Sequence, residues 1–357
     1  MINRFLWLEH LRSQRSRIVT TILRHMYQSD FHLMDDETHL QATNDANFHL
    51  DNLFTSIEIE SQALFNAYAQ WAAELMTHPN SSFITPTDFF EVVMEVLLQE
   101  VDDIHFTTAH YQRIKEIISQ GFAHMKSNTG SASAAEAPAT PLQDELTRYT
   151  RHLLASDRSG AAKLVQQLLQ NGVDVKDLYR HLFHPFQIEL GRLWQANKIN
   201  VAQEHFATAA TQYIMSLLYD HILSLPKGDK VFLATCVSGE LHEMGIRMVC
   251  DYLECLHWNT HYLGANMPES AVIQAVMENQ PDVIAISCTM MYHIPKASHL
   301  IQRLRKADIP IPILVGGYPF NIDPLLWHKT GANGTAGSFD AIYDTIETLT
   351  GGEVLEI

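Results

Sequence analysis

Basic residues are scarce in this chain of 357: Lys and Arg number 24 against 41 Asp and Glu, a formal charge of −17 with histidine neutral. A surface of that sign repels nucleic acid and excludes a broad basic DNA-binding face. Cysteine is scarcer still. Cys236, Cys250, Cys255 and Cys288 all fall between residues 236 and 288, and none forms a CxxC pair. That excludes a disulfide framework and a thiolate metal knuckle, and the four read as reduced, mostly buried thiols. Nothing approaches the roughly eighteen apolar residues of a membrane span. Glu9, His10 and Arg12 interrupt Phe5-Leu6-Trp7 before a signal-peptide core forms. A soluble, cytoplasmic protein is expected. The many early histidines (His25, His32, His39, His49, His78, His105, His110, His124) include no HExxH pair and read as scattered surface and core residues.

What is present is ordinary globular material, 46% hydrophobic and 18% charged, in a chain long enough for two or three domains. Residues 1–125 read as helical. Leu53, Ile57, Leu64, Tyr68, Trp71 and Leu75 recur at the steps of an amphipathic helix. Thr85-Pro86-Thr87-Asp88 signals a helix start before 89–98, and another helix fits 107–125. Residues 126–141, small and polar with Pro138 and Pro141, form a linker. Over 142–226 the segments 143–155, 158–171, 174–194 and 200–225 predict a four-helix bundle. Over 227–357, strands at 230–235, 258–263, 282–287, 311–315 and, more weakly, 333–336 alternate with helices at 241–256, 268–279, 295–306 and 338–349. That alternation predicts a flavodoxin-like, doubly wound parallel sheet with right-handed crossovers. The expected fold class is therefore α plus α/β. No GxGxxG follows the first strand, so an ordinary dinucleotide site is not expected.

The chemistry concentrates after the first strand, in Ser238-Gly239-Glu240-Leu241-His242-Glu243-Met244-Gly245. Open α/β sheets bind ligands at the carboxyl ends of their strands. A neutral imidazole is the commonest metal ligand, and a carboxylate on its other nitrogen fixes its tautomer. Three further features end strands: Leu263-Gly264, Ser287-Cys288-Thr289 and Gly316-Gly317. Paired glycines let a ligand lie against backbone, while Ser and Thr hydroxyls supply hydrogen bonds. A receiver domain of the response-regulator kind would want clustered acids at the first strand end and a late Lys; neither set is present.

The pattern Glu240-x-His242-x-x-Gly245, Ser287-x-Thr289, Gly316-Gly317 resembles the DxHxxG, SxL and GG signature of the cobalamin-binding fold of methionine synthase and its relatives. Glu replaces Asp at 240 and Thr replaces Leu at 289. The resemblance implies that a corrinoid gives up its own base and takes His242 as the axial ligand of cobalt. Its nucleotide tail would thread past Ser238, Gly264, Ser287 and the paired glycines, and the helical bundle would cap the upper corrin face.

The bundle also carries Trp194 with Glu204-His205 following, a W-x9-EH pattern similar to that of light-sensing, adenosylcobalamin-dependent regulators of the CarH and LitR group. In that group the Trp packs on the adenosyl group and the Glu-His pair faces the upper ligand. Two features depart from it. Residues 1–125 show no helix-turn-helix with a basic recognition helix, and Gln195 stands where such regulators can carry a second cobalt-binding His; His205 or His184 would have to substitute. The N-terminal region, with His49-Leu50-Asp51-Asn52-Leu53 and Phe65 to Trp71, resembles the helical domain of photocobilins, which implies a bilin such as biliverdin. No Cys precedes Cys236, so the bilin would be held non-covalently.

Four functions follow for comparison. A non-catalytic photoreceptor would lose Trp194 and Glu204 contacts on photolysis of the Co–C bond and shift its cap and assembly. A corrinoid shuttle would carry a methyl group between methyltransferase partners on the same His242. A chaperone or store would use the site without light. A mutase would need a radical-housing barrel of roughly 250 residues, which the chain does not contain. The sensor is expected, with a second copy in a dimer and a signalling protein as partners, and neither DNA nor a membrane as its direct target.

Overall fold

The computed structural model describes residues 2–76 and 140–351, with isolated helical residues between 91 and 123. The chain divides into two compact units, Met1–Ala132 and Ser133–Ile357. The helix-start signal at 85–88 and all of the expected linker but residues 140 and 141 lie outside the described residues. Of the helices expected over 89–98 and 107–125, the few described residues are helical.

The first unit contains α1 (Ile2–Ser13), α2 (Arg15–Tyr27), a 3-10 segment (Gln28–Leu33), α3 (Asp36–Ile59) and α4 (Gln62–Met76). The Asp35 side chain accepts the Thr38 N–H and caps α3. Ala42, Ala46, Leu50, Leu53 and Ile57 bury one stripe of it. The periodic run from Leu53 to Leu75 is not one helix. Glu60 adopts a left-handed conformation at φ 55°, and the Ser61 N–H bonds back to the Ser56 carbonyl, so the chain turns there into α4.

The second unit opens with the helical bundle: α5 (Gln143–Leu154), α6 (Arg158–Gln170), α7 (Val175–Leu178), α8 (His184–Gln195), α9 (Val201–Ser216) and α10 (Tyr219–Leu223). The expected 174–194 helix is interrupted, since Tyr179–Phe183 winds as a π segment between α7 and α8. The expected 200–225 helix also divides, after Ser216. Asn200 and Gln203 form a reciprocal capping box at the start of α9. Tyr149, Phe183, Phe186 and Ile214 form a core that continues without a break into Met244, Met248, Tyr252 and Phe339 of the sheet layer. Bundle and sheet therefore share apolar packing.

The sheet layer runs β1 (Val231–Cys236), α11 (Met244–Cys255), β2 (Asn259–Tyr262), α12 (Glu269–Asn279), β3 (Val283–Ser287), α13 (Ile294–Lys306), β4 (Ile313–Gly316), α14 (Tyr318–Ile322), α15 (Leu326–Thr330), β5 (Gly334–Thr335) and α16 (Phe339–Thr350). All pairings are parallel, in the order β2-β1-β3-β4-β5. This is the flavodoxin-like order, whose direction reverses between β1 and β3. β3 is buried along its whole length and β1 from its second residue on, as helices on both faces require. Their carboxyl ends, Cys236 and Ser287, are register partners, and Ser287 in turn pairs with Gly316.

Candidate functional site

The loop after β1 is held open by its own side chains. Helix α11 begins at Met244, not at 241 as the apolar pattern predicts. Gly239 has φ +85°, the Glu240 N–H bonds the Val237 carbonyl, and the Glu240 carboxylate takes the His242 N–H at 3.0 Å. A backbone donor captured in this way is withheld from a helix. His242 consequently stands in the loop and not on the helix.

Glu240 is fully buried and accepts five hydrogen bonds. Oε1 takes the His242 N–H and, at 2.6 Å, His242 Nδ1. Oε2 takes the Thr289 and Met290 N–H groups, each at 2.9 Å, and His293 Nδ1 at 3.0 Å. One carboxylate thus ties the loop after β1 to the loop after β3 across the switch point. Burial pushes its pKa up, but the hydrogen bonds from His242, His293 and the backbone outweigh this and hold it well below the usual carboxylate range. His242 moves the opposite way. The Glu240 hydrogen bond raises its pKa against burial, aided by the charges of Glu240 and of Glu204 on α9. With Nδ1 committed to Glu240, Nε2 is the nitrogen left for a metal, on a side chain that is 59% exposed.

The surrounding glycines behave differently from one another. A Cβ on Gly317, at φ +113°, would lie 2.2 Å from the Cys288 carbonyl oxygen, so only glycine allows β4 to end this close to the β3 loop. A Cβ on Gly245, Gly264 or Gly316 would meet nothing within 4 Å. These three leave the backbone bare toward open space. Gly264 also accepts the Cys236 N–H at 3.1 Å, Asn266 accepts the Gly239 N–H at 2.7 Å, and Lys296 Nζ donates to the Ser238 carbonyl at 2.9 Å. Ser287 is buried, and Thr289 contributes its N–H to Glu240.

On the bundle side, Glu204 lies in the first turn of α9, bonded to Thr208 at 3.0 Å and to the exposed His205 at 2.7 Å. Glu204, Thr208, Gln212 and Ser216 follow at four-residue steps and make one polar stripe. Gln212 Nε2 donates to Glu243 at 3.3 Å, and Ser216 receives Arg247 Nη2 at 3.3 Å. The stripe therefore lies along the start of α11, beside His242. Tyr262 closes the group by donating to Glu243 at 2.6 Å. Trp194 lies in the last turn of α8 and is 36% exposed. No hydrogen bond or ring contact joins it to the His242 loop among the described residues. His184, one possible substitute ligand, packs edge-on against Phe339 at 5.3 Å.

Of the residues singled out in the sequence, Glu240, His242, Ser287, Thr289 and the glycines lie at neighbouring strand ends and the loops that follow them. Sequence reasoning missed His293, Asn266, Gln212, Glu243 and Tyr262. Only their long-range partners identify them, and no local spacing signals those partners.

Comparison with known proteins fits this geometry. Residues 145–219 and residues 230–344 each match a family model described as a B12 binding domain. The bundle and the sheet are thus both B12 binding domains, and the chain belongs with the cobalamin-binding proteins. Among its relatives is the HTH-type transcriptional repressor CarA of Myxococcus xanthus, 31% identical over 120 residues, covering 34% of this chain and 41% of that one. Monomethylamine corrinoid protein 1 of Methanosarcina mazei is 23% identical over 202 residues, covering 54% and 92% respectively. The structure of the Methanosarcina barkeri monomethylamine corrinoid protein shares the fold, with a TM-score of 0.51 at 17% identity over 59% of this chain and 99% of that one. The chain spans less than half the length of the repressor. No described helix is long and apolar enough to cross a membrane.

Proposed function

We propose that this chain is a cobalamin-dependent light sensor that binds adenosylcobalamin with His242 on cobalt. The observation that supports its cobalt site is the clamp of His242 Nδ1 by buried Glu240, which offers Nε2 at the sheet's switch point beside the α9 stripe; the likeness to a repressor supports the sensor over a carrier. The donor set fits a metal that arrives in a macrocycle. A single imidazole supplies one ligand, whereas a protein-only site needs several. Bare backbone at Gly245, Gly264 and Gly316 leaves room for a large planar group and its tail.

When bound, adenosylcobalamin supplies a light-labile cobalt–carbon bond. The chain's own residues do the rest. Glu240 holds the proton on His242 Nδ1 so that Nε2 keeps its lone pair. Trp194 and Glu204 would contact the upper ligand, and losing those contacts would change the preferred position of the bundle, because two ligand states that bind two arrangements unequally shift the balance between them. The output would be a changed assembly, a dimer of this chain, read by a signalling protein in the cytoplasm. The repressor relative supports a regulatory output, and an acidic surface favours a protein over DNA as the direct target.

A second reading has the extent of one match in its favour, 92% of a monomethylamine corrinoid protein: a carrier that passes a methyl group between methyltransferase partners on the same His242. In the first unit, the His49–Tyr68 hydrogen bond with Phe48 and Trp71 around it is the candidate seat for a non-covalent bilin such as biliverdin. Biliverdin that leaves the protein on gel filtration would rule this out.

His242→Ala tests the main assignment. It is expected to abolish the imidazole-on-cobalt spectrum and weaken corrinoid retention; an unchanged spectrum and affinity would contradict it. If wild-type protein holds adenosyl and methyl forms equally tightly, the carrier reading overtakes the sensor.

A further inference from the structure

We propose that the side-chain amide of Gln187 is a hydrogen-bond donor to the upper side of the bound corrinoid. The inference rests on the cobalamin reading above and adds a residue that the motifs do not contain. The argument starts from which face of α8 meets the sheet layer. His184, the first residue of α8, packs edge-on against Phe339 of α16, so its face of the helix is the one turned toward that layer. Gln187, Gly191 and Trp194 follow His184 at steps of three, four and three, which keeps them on the same face.

Each of the three offers something to a ligand. A Cβ built on Gly191 meets no atom within 4 Å, so the helix backbone is bare there. Trp194 presents a half-exposed indole at the end of the face. Gln187 Nε2 is buried and has no hydrogen-bond partner among the described residues. A buried donor left unpaired has lost its water without compensation. An acceptor on the ligand would supply that compensation, and the amide would then strengthen binding by what it now takes from stability. The matching chemistry is a carbonyl oxygen, ether oxygen or ring nitrogen. Two parts of a corrinoid supply it: the peripheral amides of the ring and the nucleoside of an adenosyl group.

Gln187→Met removes the donor at nearly constant volume. The measurements are thermal melting of the ligand-free protein and equilibrium dialysis in darkness with adenosylcobalamin and with methylcobalamin. Ligand-free Gln187→Met is expected to melt at or above the wild-type temperature, while adenosylcobalamin binds about tenfold more weakly. A merely structural glutamine would not separate the two readouts in that way. Equal weakening for both corrinoids places the acceptor on the ring; weakening for adenosylcobalamin alone places it on the nucleoside. Unchanged affinity for both overturns the proposal, and Gln187→Glu, which keeps the shape and loses the donor, must then also bind like wild type. Wild-type protein that retains neither corrinoid overturns the cobalamin reading, and this inference with it.

Discussion

Glu240, one methylene longer than the aspartate of the signature this chain resembles, spans two loops. Its Oε1 serves His242 while Oε2 reaches Thr289, Met290 and His293. Glu240→Gln keeps the length but turns an amide NH2 toward N–H donors, leaving buried groups unpaired. The variant is expected to lose about 3 kcal/mol of stability, read from its urea midpoint. It should hold the corrinoid roughly 10- to 100-fold more weakly, as replaced partners of metal-binding histidines do. A variant with wild-type stability and affinity would show that the carboxylate is dispensable. The pairing of an imidazole with a carboxylate was legible in the sequence, since Glu240-x-His242 puts the two in reach of one another. The second role of Glu240 was not, because His293 and the Thr289 and Met290 amides come close only when β1 and β3 pair.

Among the elements, the strands were the most legible, because buried parallel strands read as short apolar runs. Helix beginnings were less so. Hydrophobic period places a helix from 241, but the His242 N–H donated to the Glu240 carboxylate delays it to Met244. The π segment at Tyr179–Phe183 and the short helices α14 and α15 carry no period long enough to detect. The π segment has a structural consequence: Tyr179 donates to Asp251 of α11 at 2.8 Å, and Arg180 pairs with Asp340 of α16. Asp251 is buried in this seam, with Tyr219 at 3.4 Å and Arg247 and Glu254 nearby. Burial pushes its pKa up from 3.8 to about 6, despite the lowering effect of the Tyr179 hydrogen bond. The folded state therefore binds this proton more tightly than the unfolded chain does. The stability it contributes is complete below about pH 4 and falls as pH rises to about 6, by about 3 kcal/mol in all. Asp251→Asn should remove that part of the slope when denaturant midpoints of variant and wild type are compared across pH 4–7; superimposable curves would contradict it. The β4 end makes a simpler prediction. Gly317→Ala puts a Cβ 2.2 Å from the Cys288 oxygen at φ +113° and should cost about 3 kcal/mol or more, visible as a large drop in melting temperature. An unaffected melting temperature would mean that the two loops separate freely.

At the scale of the whole molecule, two B12 binding domains share one apolar core, which continues from Phe183 and Phe186 into Met244, Tyr252 and Phe339. The α9 stripe lies beside the His242 loop, so a change in how Glu204 is held has a short route to His242 and, through Ser216 and Arg247, to the seam at Asp251. A sensor and a methyl carrier would use the same His242. They differ in whether light changes what the protein does. The most direct measurement is an absorption spectrum of the full chain with adenosylcobalamin in darkness and after green light, with size-exclusion chromatography on both samples. A retained corrinoid whose spectrum changes on illumination, together with a shifted elution volume, is the predicted result. A retained corrinoid that photolyses no faster than the free cofactor and leaves elution unchanged would contradict the sensor, and failure to retain any corrinoid would contradict the site itself.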